Sequence, residues 1–541
     1  MKKAIIAQVL FFTGICGVYA QSPGNDHFYN QRYASAETYF HNAISNQPSE
    51  VSNWYWLTQS YIQQEQPQKA KDSLQLAPAA IQNEPLLLVA KGHLLLLLKD
   101  SVQAVALFNQ AIDETKSKDA DILAAVARAN IEGPSANPQF ALDVLEKAIK
   151  RDKHNPALYT LQGNAWMQLH NGTEAYKSYM HAIDEKSSYA EAYYRLGKLF
   201  QSQKNTDLFL ENFNKAAQAD ASYAPALYEL YYYYMYSDPA KGMEWFTRYR
   251  PVAEKTVQLD YTYTDLLYLT KEYKAAITNA NNLLQQNRDS IPPRLYKLIA
   301  YSQKELGDTL SAINNMRLYF NNEVDSNYVL KDFETMAVLY TSQPGGADSV
   351  MTYYAKAAEK AEDNEIRSRY YKQLASMAAS QKKYAEQEKW LGLYASTATK
   401  VGNVDIFDWG IAAFRAGDFI GADTVFTRYA TEYADQPHGF YWRARSRAAI
   451  DTAMADTMVA SLYQKVLDMT VNDSASTSIR QFKINANSYL AAYAANVQKD
   501  TEKAIFYFER ILALDPANAQ AKRYIDILRK NSGDDKEEGS N

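Results

Sequence analysis

Apolar residues recur along this chain at helical spacing, in short stretches broken by polar turns. Trp54, Leu57 and Tyr61 fall at i, i+3 and i+7, a turn follows at Glu65 to Gln68, and Ala70, Leu74 and Ala77 fall at i, i+4 and i+7. Each set lines one helix face, because side chains three, four and seven residues apart point the same way. The second set returns 34 residues away on both sides, as Ala36, Phe40 and Ala43 and as Ala104, Phe108 and Ala111. An insertion at Gly133 to Asn137 shifts the register, after which Ala141, Leu145 and Ala148 resume it and Ala175, Tyr179 and Ala182 continue it. The pattern predicts short amphipathic helices, joined in pairs by tight turns and repeated in tandem.

The fullest copy is Tyr159, Gly163, Trp166, Ala175, Tyr179 and Ala182, and it closely resembles the tetratricopeptide repeat. In that family small residues let paired helices approach, while aromatic and large apolar residues fill the space between pairs. Ser187 stands where the family has a proline, but the last copy keeps it, in Ala504, Phe508, Ile511, Asp515 and Pro516. Looser copies run through Gly197 and Phe213, Ala276 and Ala280, Gly307 and Ala312, and Gly410 and Phe426, with weaker pairs around Met243, Met351, Gln387 and Val459. The resemblance implies an all-α fold, a right-handed α-solenoid of about 14 tetratricopeptide-like helix-turn-helix repeats. Beyond about residue 240, Arg250, Leu283, Tyr319, Tyr394 and Tyr429 stand where earlier copies have alanine, which requires wider helix spacing. The expected organisation is a signal peptide (1–20), a short N-terminal segment (21–29), an N-terminal array (30–250), a more divergent C-terminal array (251–529) and a disordered polar tail (530–541). The arrays are expected to meet near Pro251 to Asp260.

Composition narrows this further. Only 20 Gly and 16 Pro among 541 residues suit helices better than turn-rich β structure. The most apolar stretch, Leu86 to Leu98, is interrupted by Lys91, Gly92 and His93 and is too short to span a bilayer, so it reads as a buried helix. A net charge of -5 gives no basic face for phosphate contacts, which excludes nucleic acid as a partner. The 43 tyrosines suit surfaces that are half packed and half wet. Lys2 and Lys3, the apolar run Ala4 to Phe12 and the small-residue signal Val18-Tyr19-Ala20 read as a secretory leader cut after Ala20. The single cysteine, Cys16, lies inside it, so the mature chain would hold no thiol, disulfide or cysteine metal site. Ile15 before Cys16 argues against a lipoprotein signal. Export to the periplasm or the outer-membrane periphery is expected, with no transmembrane helix in the mature chain.

Catalytic and cofactor motifs are missing: there is no His-Glu-x-x-His helix, phosphate loop, nucleophile elbow or dinucleotide turn. His41, His93, His170 and His181 are scattered over predicted helices and their ends. No cofactor, metal or enzymatic activity is expected. One short pattern recurs nine times, an Asp followed by Ser or Thr and a small apolar residue. At Asp100, Asp308 and Asp348 it begins a second helix, where an Asp or Ser oxygen can cap. The triplet also resembles the periplasmic O-glycosylation acceptor of Bacteroidetes-type bacteria, which implies glycans on Ser101, Ser290, Thr309, Ser349, Thr452, Thr457 and Ser474. Ser73 and Thr424 are disfavoured as buried or mid-helix. Leader, repeats and triplets together resemble a secreted or periplasmic tetratricopeptide protein of the Bacteroidetes type.

The family's shape implies a concave groove lined by first helices, with the residues between the buried positions facing into it. By that spacing the partner-binding candidates are Tyr55, Gln59, Gln63, Asn164, Gln168, Tyr194, Lys198, Tyr228, Tyr232, Tyr441 and Arg445. A clamp for a peptide carboxylate is not expected, because Thr160 stands where such a set needs lysine. The expected function is a non-catalytic scaffold or adaptor of the cell envelope, holding a peptide or protein partner and associating with an outer-membrane complex. The alternative is an envelope enzyme or sugar-processing factor built on a helical solenoid.

Overall fold

Tight turns are built here from two residues with separate tasks. The first takes a left-handed backbone and, in many of the turns, the second caps the next helix. Lys99 (φ 67°) precedes Asp100, whose carboxylate accepts from the Gln103 N–H at 3.1 Å. His170 and Lys204 precede the capping residues Asn171 and Asn205 in the same way, and Gly307 (φ 80°) and Gly417 (φ 87°) precede Asp308 and Asp418. Each cap satisfies N–H groups that the first helical turn leaves open. The computed structural model describes residues 22–286, 292–472 and 476–537, with side chains through 530, and among the described residues there is no β-strand. The leader with Cys16 and its cut after Ala20, the hydroxyls of Ser290 and Ser474, and residues 538–541 lie outside them.

Two compact units result, Met1–Ile291 and Pro292–Asn541. In the first, eight helix pairs follow one another: α1 (Pro23–Tyr29) and α2 (Tyr33–Asn46), α3 (Val51–Gln63) and α4 (Pro67–Leu76), α5 (Pro85–Leu97) and α6 (Ser101–Glu114), and α7 (Ala120–Ala129) and α8 (Pro138–Arg151). Then come α9 (Pro156–Gln168) and α10 (Gly172–Glu185), α11 (Ala190–Ser202) and α12 (Thr206–Ala219), α13 (Ala224–Ser237) and α14 (Pro239–Tyr249), and α15 (Val257–Leu269) and α16 (Tyr273–Gln286). The second unit has six pairs and a closing helix: α17 (Arg294–Glu305) and α18 (Thr309–Asn322), α19 (Leu330–Thr341) and α20 (Ala347–Lys360), and α21 (Asn364–Ser380) and α22 (Tyr384–Thr397). They continue with α23 (Asn403–Ala416) and α24 (Phe419–Glu432), α25 (Pro437–Ile450) and α26 (Thr457–Met469), α27 (Thr477–Tyr493) and α28 (Thr501–Leu514), and lastly α29 (Ala519–Glu537).

A close approach inside the pairs recurs at fixed spacing. A Cβ on Gly24 would meet the Phe40 ring at 2.5 Å, on Gly92 the Phe108 ring at 2.5 Å, and on Gly163 the Tyr179 ring at 2.3 Å. Gly197 stands to Phe213 and Gly410 to Phe426 in the same relation, at 2.4 Å and 2.6 Å. In each case the ring comes 16 residues later and lies on the backbone of its partner helix. Alanine there would force the ring out of a close-packed core. Gly24 obeys the rule, so α1 is the first helix of the first pair, whereas residues 21–29 read in sequence as a segment outside the repeats. The reason is length: a seven-residue helix is too short to show a hydrophobic period.

Three further features differ from, or refine, the sequence reading. The units divide at Ile291 and Pro292, after α16, rather than within Pro251 to Asp260. The polar stretch from Lys530 is helical as far as Glu537, where composition suggested disorder. Extending a helix already anchored by the buried Ala521 and Ile525 costs little compared with nucleating one. Tyr319, Tyr394 and Tyr429 are buried in the places where most pairs of the first unit have alanine, and Leu283 is buried at that place already within the first unit. Leu86 to Leu98 forms α5 and is largely buried, and among the described residues no helix is long and apolar enough to cross a membrane.

Candidate binding face of the first array

First helices of successive pairs pack side by side in the first unit, α3 on α5, α5 on α7, α7 on α9, α9 on α11 and α13 on α15, and give it one continuous inner face. Sequence spacing aimed nine groove candidates at this face, and the structure divides them. Tyr55, Gln59, Asn164 and Tyr194 are buried and line no open groove, with Gln59 only 1% exposed. Each has an internal partner. The Gln59 carbonyl oxygen meets His93 Nδ1 at 2.9 Å, the Tyr179 hydroxyl donates to Asn164 Oδ1 at 2.9 Å, and Tyr194 packs on Phe213 and Tyr223. The Tyr55 hydroxyl accepts from Arg128 Nη1 at 3.5 Å. Lys198 is half-buried and paired with Glu229 at 3.0 Å.

The first pair also meets the sixth to eighth across the inner face. Asn30, at the end of α1, accepts from the Ala224 N–H at the start of α13 (2.9 Å). Glu254, between α14 and α15, accepts from the N–H groups of Ala34 and Ser35 (both 3.1 Å) and from the Ser35 hydroxyl (2.7 Å) at the start of α2. The Tyr29 ring packs on Tyr223 with centroids 4.7 Å apart, and Phe28 packs on Trp56 at 4.9 Å. The Arg128 guanidinium lies over Trp56, and Arg195 pairs with Glu191 at 3.3 Å. Burial, helped by Glu191 and Asp220, pushes the Tyr29 hydroxyl well above its usual range. Burial likewise raises Tyr33 and Tyr194, each to about 12, with Arg195 opposing the rise. These hydroxyls stay neutral.

What remains open is the C-terminal end of α3 and of α9 and one side of α13. Gln63 and Gln168 are exposed there. On α13, Tyr228 and Tyr232 are exposed and their rings stack in parallel, 5.8 Å apart at 8°. Tyr233 and Tyr236 extend the exposed strip, Tyr236 being 73% accessible. The run Tyr231 to Tyr234 is split, since Tyr231 is buried against Phe246 and Tyr249.

The tetratricopeptide repeat family model matches residues 190–223 and 488–518, which cover α11 with α12 and the end of α27 with α28. Both units are α-solenoids of tetratricopeptide-type repeats. The C-terminal part of a tetratricopeptide repeat-containing protein from Cytophaga hutchinsonii is 24% identical over 49% of this chain and 98% of that one, with a TM-score of 0.30. A tetratricopeptide repeat protein from Parabacteroides merdae is 14% identical over 53% and 97%, with a TM-score of 0.21. YrrB, a tetratricopeptide protein with an unusual peptide-binding site, is 15% identical over 35% and 96%, with a TM-score of 0.23. No curated protein matches the chain.

In the second array Tyr441 is also buried and cannot line a groove. It stacks on Phe482 at 3.7 Å, and its hydroxyl accepts from Asn485 at 2.6 Å. Arg445 is half-buried over Trp442 and Phe414. Among the hydroxyls of the Asp-Ser/Thr triplets, Ser101, Thr452 and Thr457 are exposed, and Thr309 and Ser349 are partly so. Ser73 is buried, whereas Thr424 is mid-helix but exposed. Asp100, Asp308 and Asp456 cap helices, but Asp348 sits inside the first turn of α20 and pairs with Lys383 at 2.6 Å instead of capping. Among the described residues no group of His, Cys, Asp and Glu is placed to hold a metal. Sequence spacing missed Asn30, Arg128, Arg195, Tyr223 and Glu254. Arg128 was visible as the lone cation of the apolar helix α7, but nothing local marked Glu254 or Asn30.

Proposed function

We propose that the protein is a non-catalytic interaction scaffold that holds a peptide or protein partner on the tyrosine strip of α13. The observation that carries this reading is the parallel exposed pair Tyr228 and Tyr232, continued by Tyr233 and Tyr236. Each ring offers a large apolar surface and a hydroxyl, at little entropic cost because tyrosine has two side-chain torsions. Exposed aromatic clusters of this kind are typical anchors of protein interfaces. Capture of partners from envelope extracts, with wild type and with Tyr228→Ala/Tyr232→Ala, tests it. Loss of one stoichiometric partner supports the strip, unchanged capture sinks it, and turnover of a polysaccharide or peptide by purified protein favours an enzyme instead.

The same reading places the scaffold in the periplasm or at the outer-membrane periphery, on the strength of the leader-like residues Lys2 to Ala20. N-terminal sequencing of the native protein should begin at Gln21. Glycans are proposed at Ser101, Thr452 and Thr457, whose hydroxyls are exposed beside an aspartate. An intact mass equal to the bare polypeptide would end that proposal.

A further inference from the structure

We infer that the contact of α1 and α2 with the start of α13 and the α14–α15 loop is a latch, which opens and closes over the inner face of the first array while the array stays folded. A solenoid draws its stability from interfaces between neighbouring repeats. The latch joins non-neighbours: Asn30 reaches Ala224, and Glu254 reaches Ala34 and Ser35 across 220 and 219 residues. Breaking it removes no interface between adjacent pairs.

Its chemistry is reciprocal. The residues that begin α2 and α13, Arg32 and Tyr223, supply no side-chain cap to their own helices. Glu254 caps α2 from the far end of the array, and Asn30 satisfies the first N–H of α13 from the near end. Water can replace both, because these groups lie at helix termini. Closure also has a cost. Arg32 Nε and Arg195 Nε are buried without a hydrogen-bond partner beside this contact. Buried unpaired polar groups disfavour the state that holds them, so opening relieves what closing imposes. Opening uncovers Tyr223, which Tyr29 covers from the first pair and against which Tyr194 packs. The latch rests on these intrachain contacts alone and stands or falls separately from the α13 strip.

The test uses the full chain with spin labels at Thr38→Cys and Lys255→Cys, both exposed, in a Cys16→Ala background. Wild type should give one short distance, and Glu254→Ala should add a longer population. Hydrogen exchange should rise about tenfold at Ala34 and Ser35 and also at Ala224, which Glu254 does not touch, with the thermal midpoint unchanged. Phe213→Ala, which removes a ring packed between helices of one pair, is the comparison for true unfolding. A single unchanged distance in Glu254→Ala, with faster exchange confined to the start of α2, overturns the latch and leaves only a cap. A fall in midpoint with exchange rising throughout the unit, as in Phe213→Ala, overturns it as well.

Discussion

One repeat position is held by alanine in most pairs of the first array and by tyrosine in three pairs of the second. At the last small position of the second helix the first array has Ala111, Ala148, Ala182 and Ala216, all fully buried, whereas three pairs of the second array have Tyr319, Tyr394 and Tyr429. Burying a tyrosine requires a partner for its hydroxyl. Tyr319 donates to Asp332 at 3.1 Å and Tyr394 to Asp405 at 3.1 Å, while Tyr429 bonds Gln436. Each acceptor lies 7 to 13 residues further on, at or near the start of the next pair. The first array is thus packed by small residues and close backbones, and the second by large residues that carry a polar tether to their neighbour.

The largest test removes the deepest tether. Asp332 is fully buried and accepts from Lys297 at 2.6 Å, Tyr301 at 2.8 Å, Tyr319 and the Val329 N–H. Asp332→Ala leaves a lysine and two hydroxyls without it and should cost about 3–5 kcal/mol, read as a lower urea midpoint of the second array with hydrogen exchange in the first unchanged.

Acidity should separate the arrays next, with opposite signs. Burial lowers His93 in the first array to about 4 from an ordinary 6.5. The unfolded chain therefore takes up a proton that the folded one refuses, and the first array should lose about 3 kcal/mol as pH falls from 6.5 to 4. His93→Gln should flatten that slope. Burial, reinforced by Asp418, raises Glu388 in the second array from 4.5 to about 7. There the folded state keeps the proton longer, so stability falls as pH rises from 4.5 to 7, and Glu388→Gln should remove the dependence. Exchange rates followed peptide by peptide across this range would show whether the slopes oppose each other.

Swapping the packing styles gives smaller effects. Ala216→Tyr places a large ring where there is no room and should destabilise the first array by about 1–3 kcal/mol, measured by its thermal midpoint. Tyr394→Phe removes only the hydroxyl bond, and Asp405 keeps Lys372 at 2.7 Å, so a loss of about 1 kcal/mol is expected. An equal loss from both substitutions would erase the distinction between the arrays.

Much of the fold was legible because repeat positions are repeated chemistry. Gly163 with Tyr179, Gly197 with Phe213 and Gly410 with Phe426 declare a helix pair wherever they occur. In many hairpins the turn residue and cap are adjacent in sequence, as in Gly307-Asp308, so local reading finds them. The candidate site was less legible. Spacing aims Tyr55, Gln59, Asn164, Tyr194 and Tyr228 at the same face, yet only Tyr228 is open. The difference between Tyr194 and Tyr228 is not in their repeat positions but in what packs against them, and local spacing is blind to that.

Sequence alone determined the helix pairs, their turns, the glycine-to-ring approaches and the change from alanine to tyrosine between the arrays, because each depends on residues within one or two repeats. Tertiary structure decided which inner residues face solvent, where the chain divides into units, and how Asn30 and Glu254 cap helices of distant pairs. Those outcomes depend on curvature summed over seven or eight repeats, and a small rotation at every interface, invisible in any one repeat, brings Ser35 to Glu254.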